Sequence, residues 1–334
     1  MSHADSPRLS PVTIGTLLAR RLRLAVLALL VVAIGLVFPF PVEGRLWGHI
    51  FNLAHAPTFF CTFLAIVGLL DPSAIGLSKR FATAMPMTVR RTTAVVAVLT
   101  VLGVVGEFLQ FFAGRSPSLK DVASNSAGLL AAFVWVSGAT SSGMRRRFSG
   151  FIAILFIASA SFIPLMNVWD CFEQLRQMPQ LASFERSLEL GSWKTRDAEM
   201  TRSTEWSTHG ERSLQADLQP ARYPSVSFFW PTADWQGYQT FAVDVCNPTD
   251  ASLTLTIKVQ DRQYGWNDQG RLDRFNRDVV LAPGEVRSVA IAISEIRQAP
   301  ENRSMQMNQI SLVEFYASGL KEPTTFFVDN LRLE

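Results

Sequence analysis

Two patterns of hydrophobic and polar positions divide the chain. Up to residue 168 the apolar residues come in long uncharged runs; from about residue 183 they alternate with polar ones in short stretches. A run of about 20 apolar residues is long enough to cross a bilayer as a helix, whereas strict alternation puts every second side chain on one face of a strand. The runs predict an α-helical membrane domain over 24–168 with five transmembrane helices, at 24–40, 51–70, 92–112, 122–139 and 151–168. A basic cytoplasmic tail, 1–23, precedes the first. Its length, and the bulky Phe38-Pro39-Phe40-Pro41 at its end, argue for an uncleaved span rather than a secretory signal.

The second pattern predicts an all-β sandwich over 183–334. Leu253, Leu255, Ile257 and Val259 fall on one strand face, and Thr254, Thr256, Lys258 and Gln260 on the other. Phe241, Val243 and Val245 repeat the alternation, as do Val289, Ile291 and Ile293, with turn signals at Asn247-Pro248 and Pro283-Gly284 between the runs. About 150 residues suffice for one core. Residues 169–182, with Glu173, Arg176 and Pro179, read as a linker.

Charge then sets the orientation. The 334 residues carry a formal net charge of +3, and the basic residues cluster beside the apolar runs instead of forming one patch. That is a topology signal, not a nucleic-acid footprint. Arg20, Arg21 and Arg23, the loop with Lys79, Arg80, Arg90 and Arg91, and the Arg145–Arg147 triplet all fall on the cytoplasmic side of a five-span chain. The expected protein is therefore integral to a bacterial cytoplasmic membrane, with its N-terminus inside and its β domain outside. The lipid bilayer is its first partner. Cys61, Cys171 and Cys246 form no disulfide framework, and neither a zinc-ligand spacing nor a phosphate-cradling glycine loop is present.

Against this apolar background, residues 106–128 stand out. Glu107 and Gln110 are three apart, and Asp121 and Asn125 four apart, so each pair shares a helix face; Arg115 lies in the polar turn between them. With His55 at the outer end of the second span, all of these groups fall at one depth near the outer membrane face. Ionisable groups inside apolar spans are costly and point to function. His55, Glu107 and Asp121 are the candidates for acid–base catalysis or binding. Gln110, Arg115 and Asn125 are candidates for holding substrate, Arg115 by pairing with a phosphate or carboxylate. The same groups can also neutralise one another, Glu107 with Arg115 and His55 with Asp121, as a structural polar knot. Ser116 and Ser118 form no nucleophile motif with His55.

A histidine opening a span, then Glu-x-x-Gln, Arg and Asp-x-x-x-Asn-x-x-Gly resembles the VanZ-like family of small membrane proteins. The residues that carry the resemblance are His55, Glu107, Gln110, Arg115, Asp121, Asn125 and Gly128, and it covers roughly 45–140. The family often has a lysine three residues before the histidine, where this chain has Asn52. The family's name comes from glycopeptide resistance, and the resemblance implies a cell-envelope setting without a reaction.

The β region is similar to the galactose-binding-like jelly rolls of many carbohydrate-binding modules. The stretches that carry this are Phe184-Glu185 before Trp193, Gly210-Glu211-Arg212-Ser213-Leu214, Asp234-Trp235-Gln236-Gly237-Tyr238, Asp244 to Pro248, Leu281 to Gly284, and the closing Val328-Asp329-Asn330-Leu331-Arg332-Leu333. In such domains an acid of the first strand and an Asp of the last often hold a structural Ca²⁺, for which Glu185 and Asp329 are the matching positions; a hydrogen-bonded Asp at a strand end is the alternative. Asp329 shares parity with Phe327, Leu331 and Leu333. Tyr264 and Trp266 lie in a polar stretch, 261–274, and are the loop aromatics placed to stack on a sugar ring.

Three readings stay open at this stage. The protein binds a polysaccharide through the jelly roll and an envelope precursor or lipid-linked group at the polar cluster. Alternatively, the cluster is an enzyme site acting on a cell-wall or polysaccharide precursor, or the chain is a transporter of a small envelope component, for which five spans are few.

Overall fold

A computed structural model describes residues 16, 19–27, 29–30, 44–76, 83, 85–112, 117–139, 141–232, 234–264 and 270–334. The chain forms two compact units, Met1–Val168 and Trp169–Glu334.

The first unit is helical. Helix α1 spans Arg45–Leu70, α2 Val89–Phe112, α3 Leu119–Ala139 and α4 Gly143–Arg176; a single 3-10 turn, Pro72–Ile75, follows α1. All four helices are long and apolar enough to cross a membrane. Of the first span expected at 24–40, residues 24–27 and 29–30 are described and helical, and the rest lies outside the described residues. Helix α1 starts at Arg45, ahead of the span expected from residue 51, with Gly44 at a φ of 120° as its N-cap. His55 thus sits on the third turn. The last helix likewise runs past residue 168 to Arg176, through part of the stretch expected as a linker.

Glycines let the helices of this unit approach closely. A Cβ added to Gly128 of α3 would stand 2.2 Å from the carbonyl oxygen of Ala56, so α1 and α3 touch backbone to backbone. At Gly103 of α2 a Cβ would meet the Phe59 ring at 3.1 Å. Small residues at helix contacts are how apolar helices approach closely where no hydrophobic effect drives them together. Phe59, Phe63, Ile66, Val67, Leu99, Leu129 and Ala132 fill the space around these contacts. Helix α4, by contrast, leaves Phe151, Ile154, Leu155, Phe162, Ile163 and Leu165 exposed.

The second unit is an antiparallel β-sandwich. Its strands are β1 (Gln180–Ala182), β2 (Trp193–Arg196), β3 (Ala198–Ser203), β4 (Ser213–Leu218), β5 (Ser225–Phe229), β6 (Thr240–Cys246), β7 (Leu253–Asp261), β8 (Phe275–Leu281), β9 (Val286–Ala292), β10 (Ile310–Tyr316) and β11 (Thr324–Leu333), with helix α5 (Ile293–Gln298) after β9. One sheet runs β3-β4-β11-β6-β9, with β1 also on β11; the other runs β2-β5-β10-β7-β8. The alternating positions face inward as the pattern predicts: Leu253, Leu255, Ile257 and Val259 meet Phe241, Val243, Val245, Val289 and Ile291 in one core. Trp193 stacks on Phe228 at 4.9 Å and Trp235 on Phe241 at 5.2 Å, so these two tryptophans are core residues.

The parity expected for Asp329 is corrected here. The register of β11 against β6 shifts between Asp329 and Arg332, where Asn330 takes a φ of 54°. An extra residue in a strand reverses the faces beyond it. Val328, Leu331 and Leu333 therefore all enter the core, and Asp329 lies with Phe327 on the opposite face of the sheet.

The Gly128–Ala56 contact generates a test. Gly128→Val places a branched side chain against a backbone atom that no rotamer change can move, so the loss is expected at or above the upper end of the ~1–3 kcal/mol usual for overpacking. Gly48→Ala, where a Cβ meets nothing within 4 Å, is expected to leave stability unchanged or slightly raised. Thermal unfolding of the two detergent-solubilised variants checks this. Equal midpoints would contradict the backbone contact.

Candidate functional site

In the helical unit the polar residues picked out by spacing converge. His55 of α1, Glu107 and Gln110 of α2, and Asn125 of α3 are all buried, and Asp121 at the start of α3 is nearly so. The Gly128 contact is what makes this possible, because it draws α1 onto the same turns of α3 that carry Asp121 and Asn125. His55 Nδ1 lies 2.9 Å from Asn125 Oδ1, and His55 Nε2 lies 4.0 Å from Asp121 Oδ2. Gln110 donates to Glu107 Oε1 over 3.4 Å, and the backbone N–H of Ser118 reaches Glu107 Oε2 at 3.5 Å. His55, Glu107 and Asp121 each turn one donor atom to a common point, all within 4.8 Å of one another. Arg115, expected beside them, lies outside the described residues.

In the sandwich, the outward face of the five-stranded sheet departs from an ordinary solvated face. Its rows follow from the register: Glu314 pairs with Ser227 on one side and Lys258 on the other, and Tyr316 with Ser225 and Thr256. These positions point away from the core, yet Lys258 is 4% exposed and Glu314 6%. Lys258 Nζ donates to Glu314 Oε2 at 2.9 Å, and Arg196 reaches Glu314 Oε1 at 3.2 Å. Burial alone would raise the Glu314 carboxyl, but Lys258, the Ser225 hydroxyl and Arg196 outweigh it and hold it below the usual carboxylate range. For Lys258, burial, with Arg274 and Arg196 added, outweighs the pull of Glu314 and leaves the ammonium below the ordinary lysine range.

One aromatic ring packs on this pair, and others are held by neighbouring side chains of the same unit. The Tyr264 ring lies 5.4 Å from Lys258 Nζ and 5.8 Å from the Arg274 guanidinium, which also donates to the Tyr264 hydroxyl. Tyr223 packs edge-on against Tyr316, and Arg262 lies over Trp230 at 4.8 Å. The loop that carries Tyr264 is fixed at its two ends by one side chain: Arg303 donates to Asp261 through two nitrogens, at 2.6 and 2.8 Å, and to Asp273 at 2.6 Å. Sequence spacing missed Arg196, Lys258, Arg303, Glu314 and Tyr316 because they meet only across strand register. Trp266 lies outside the described residues. A separate pocket of about 440 Å³, lined by Gln236, Arg297 and Ser304 to Gln309, contains one charged side chain and no aromatic.

Glu185 and Asp329 do serve one loop, but as acceptors of N–H groups. Asp329 Oδ2 takes the backbone N–H groups of Thr208 and His209 at 2.7 and 2.8 Å, and its Oδ1 that of Asn330 at 2.7 Å. Glu185 Oε1 takes those of Glu211 and Arg212 at 2.9 and 2.8 Å. Burial pushes the Asp329 carboxyl above its usual range even against these donors. Carboxylate oxygens ringed by N–H groups do not suit a cation, which needs six to eight oxygen ligands if it is calcium. This donor set therefore fits loop clamping and does not fit the structural Ca²⁺ expected from the jelly-roll resemblance.

No protein-family model matches the chain. A β-agarase A from Vibrio sp. (strain JT0107) is 35% identical over 83 residues, which is 24% of this chain and 8% of that protein. Among solved structures, an exo-beta-agarase is 13% identical with a TM-score of 0.37, over 46% of this chain and 25% of the other. A family 11 carbohydrate-binding module from Clostridium thermocellum, solved with a beta-1,3-1,4-mixed-linked tetrasaccharide, is 14% identical with a TM-score of 0.35, over 46% of this chain and 93% of that one. The chain thus spans less than a tenth of the agarase it matches in sequence.

The buried pair sets an acid dependence. Glu314→Gln leaves Lys258 buried without its counter-charge, at an expected cost of about 3–5 kcal/mol at neutral pH. Because the folded carboxyl titrates below the unfolded one, its contribution is fully present above the unfolded value of ~4.3 and is lost as the pH falls through the folded value. The stability gap between wild type and Glu314→Gln is therefore expected to close in acid, as followed by tryptophan fluorescence in denaturant titrations. A gap that stays constant below that range would contradict it.

Proposed function

We propose that this chain is a membrane-held polysaccharide-binding protein of the cell envelope, and that the outward face of its five-stranded sheet contacts the glycan. One observation carries the reading: a sheltered Lys258–Glu314 pair with the Tyr264 ring over Lys258, and the Tyr316–Tyr223 ring pair beginning in the next outward row of the same sheet. A sugar offers hydroxyls that need fixed donors and acceptors, and an apolar C–H face that stacks on aromatic rings; this face supplies both. Tyr264 supplies a ring over Lys258 on that surface, and Trp266 is proposed as a second residue that contacts the sugar. The 35% identity to an agarase makes agarose oligosaccharides the first ligands to try.

The helical unit is read as a VanZ-like membrane domain in the bacterial cytoplasmic membrane, with five spans, the N-terminus inside and the sandwich outside. The exposed apolar length of α4 supports a lipid surrounding, since so large an uncovered apolar surface is unfavourable in water. In this reading the cluster of His55, Glu107, Gln110, Asp121 and Asn125, with Arg115, holds an anionic group of an envelope precursor or lipid-linked carrier. The convergence of His55, Glu107 and Asp121 also favours a second reading, an enzyme using that cluster for acid–base chemistry on such a precursor. The two differ in whether Glu107→Gln abolishes turnover or only binding.

The glycan reading predicts saturable binding of an agarose-derived oligosaccharide by the full chain in nanodiscs, measured by calorimetry. Tyr264→Ala is expected to weaken binding at least tenfold. His209→Ala, on the exposed loop over the other sheet, is expected to leave it unchanged. Failure of agarose, mixed-linkage β-glucan and peptidoglycan fragments to bind, or equal binding by Tyr264→Ala, would overturn it.

A further inference from the structure

We propose that His55, Glu107 and Asp121 form a binding site for one divalent transition-metal cation of the zinc type. The inference does not depend on the glycan reading. Three helices each contribute one ligand atom to a common point, all within 4.8 Å of one another. At 4.0 Å, His55 Nε2 and Asp121 Oδ2 are too far apart for a hydrogen bond. They are close enough to share an ion, because two metal–ligand bonds of ~2.1 Å span that distance and small side-chain rotations close it further.

The imidazole is set up for this role. Asn125 Oδ1, 2.9 Å from His55 Nδ1, suits the tautomer that carries its proton on Nδ1, and that tautomer would leave the Nε2 lone pair facing Asp121. A metal-bound histidine almost always has its other nitrogen held by such an acceptor, which fixes both tautomer and ring orientation. Asn125 supplies the independent sign. Its side chain is 4% exposed, and its amide nitrogen has no hydrogen-bond partner among the described residues. A buried amide that leaves a donor unmatched while keeping its oxygen on His55 is committed to orienting that ring.

The donor set selects the ion. One imidazole nitrogen and two carboxylate oxygens suit zinc or a neighbouring transition metal, not calcium or magnesium, which take oxygen ligands. Three protein ligands leave a fourth position open, and an open position takes water or an oxygen of an anionic group such as a phosphate. Gln110, which donates to Glu107, steadies one ligand from behind.

The test uses the full chain in detergent, stripped with chelator and then titrated with Zn²⁺ against a chromophoric competitor; Co²⁺ is added in parallel for its visible absorption. The expected result is one zinc per chain, a Co²⁺ spectrum of low-coordinate type, and at least hundredfold weaker binding in Glu107→Gln and Asp121→Asn. Asn125→Ala is expected to lose ten- to a hundredfold while keeping the one-to-one stoichiometry. Asp121→Asn, the least buried of the ligand changes, carries the test if a variant at His55 or Glu107 fails to fold, as judged by helical circular dichroism and gel filtration. Absence of stoichiometric uptake by wild type, or unchanged affinity in folded Asp121→Asn, overturns the site.

Discussion

A charge or polar group taken out of water must be matched within a few ångströms, and both units of this chain are arranged around that requirement. In the sandwich the outward side of a sheet would ordinarily be solvated, yet Lys258 and Glu314 are nearly as buried there as the core. They persist because they face each other across two central strands, with Arg196 and the Ser225 hydroxyl on the same carboxylate. The Tyr264 ring packs over Lys258, and Arg303 ties Asp261 to Asp273 on either side of Tyr264 in the chain, which limits the freedom of the backbone between them. The opposite sheet follows the same rule, with Asp329 and Glu185 matched to backbone N–H groups of one loop.

The helical unit obeys the rule with fewer options. Apolar helices have little hydrophobic incentive to pack in lipid, so their approach depends on surface shape. Gly128 removes the side chain that would hold α1 and α3 apart, and the resulting contact carries His55 to Asn125 and Asp121. Shape thus comes first and polarity second: the small residue sets the distance, and the polar groups then have partners. A cation at the convergence of His55, Glu107 and Asp121 would complete the matching in the same spirit.

Much of this was legible in the sequence, for physical reasons that also mark where legibility ends. Long uncharged runs and period-two alternation report the solvent on each side of an element, so the helices and Leu253, Leu255, Ile257 and Val259 of β7 could be placed from the pattern. The pairs Glu107–Gln110 and Asp121–Asn125 were visible because helical spacing is local. Lys258 and Glu314 lie 56 residues apart, and only the register of β7 against β10 brings them together. The bulge at Asn330, which separates Asp329 from Leu331 and Leu333, adds one residue to a strand and leaves no periodic trace before it. Helix α1 extends six residues before the apolar run expected as a span from Phe51, because Leu46, Trp47, Gly48, His49 and Ile50 continue the helix from its N-cap at Gly44.

The central claim is that a glycan contacts the outward face of the five-stranded sheet. Hydroxyl-radical footprinting of the full chain in nanodiscs, with and without an agarose oligosaccharide, tests it most directly. The account predicts protection of Tyr223 and Tyr264 and none at Trp206, which packs on Phe327 of the other sheet. Protection confined to Trp206 and its loop, or no ligand-dependent protection anywhere, would contradict it.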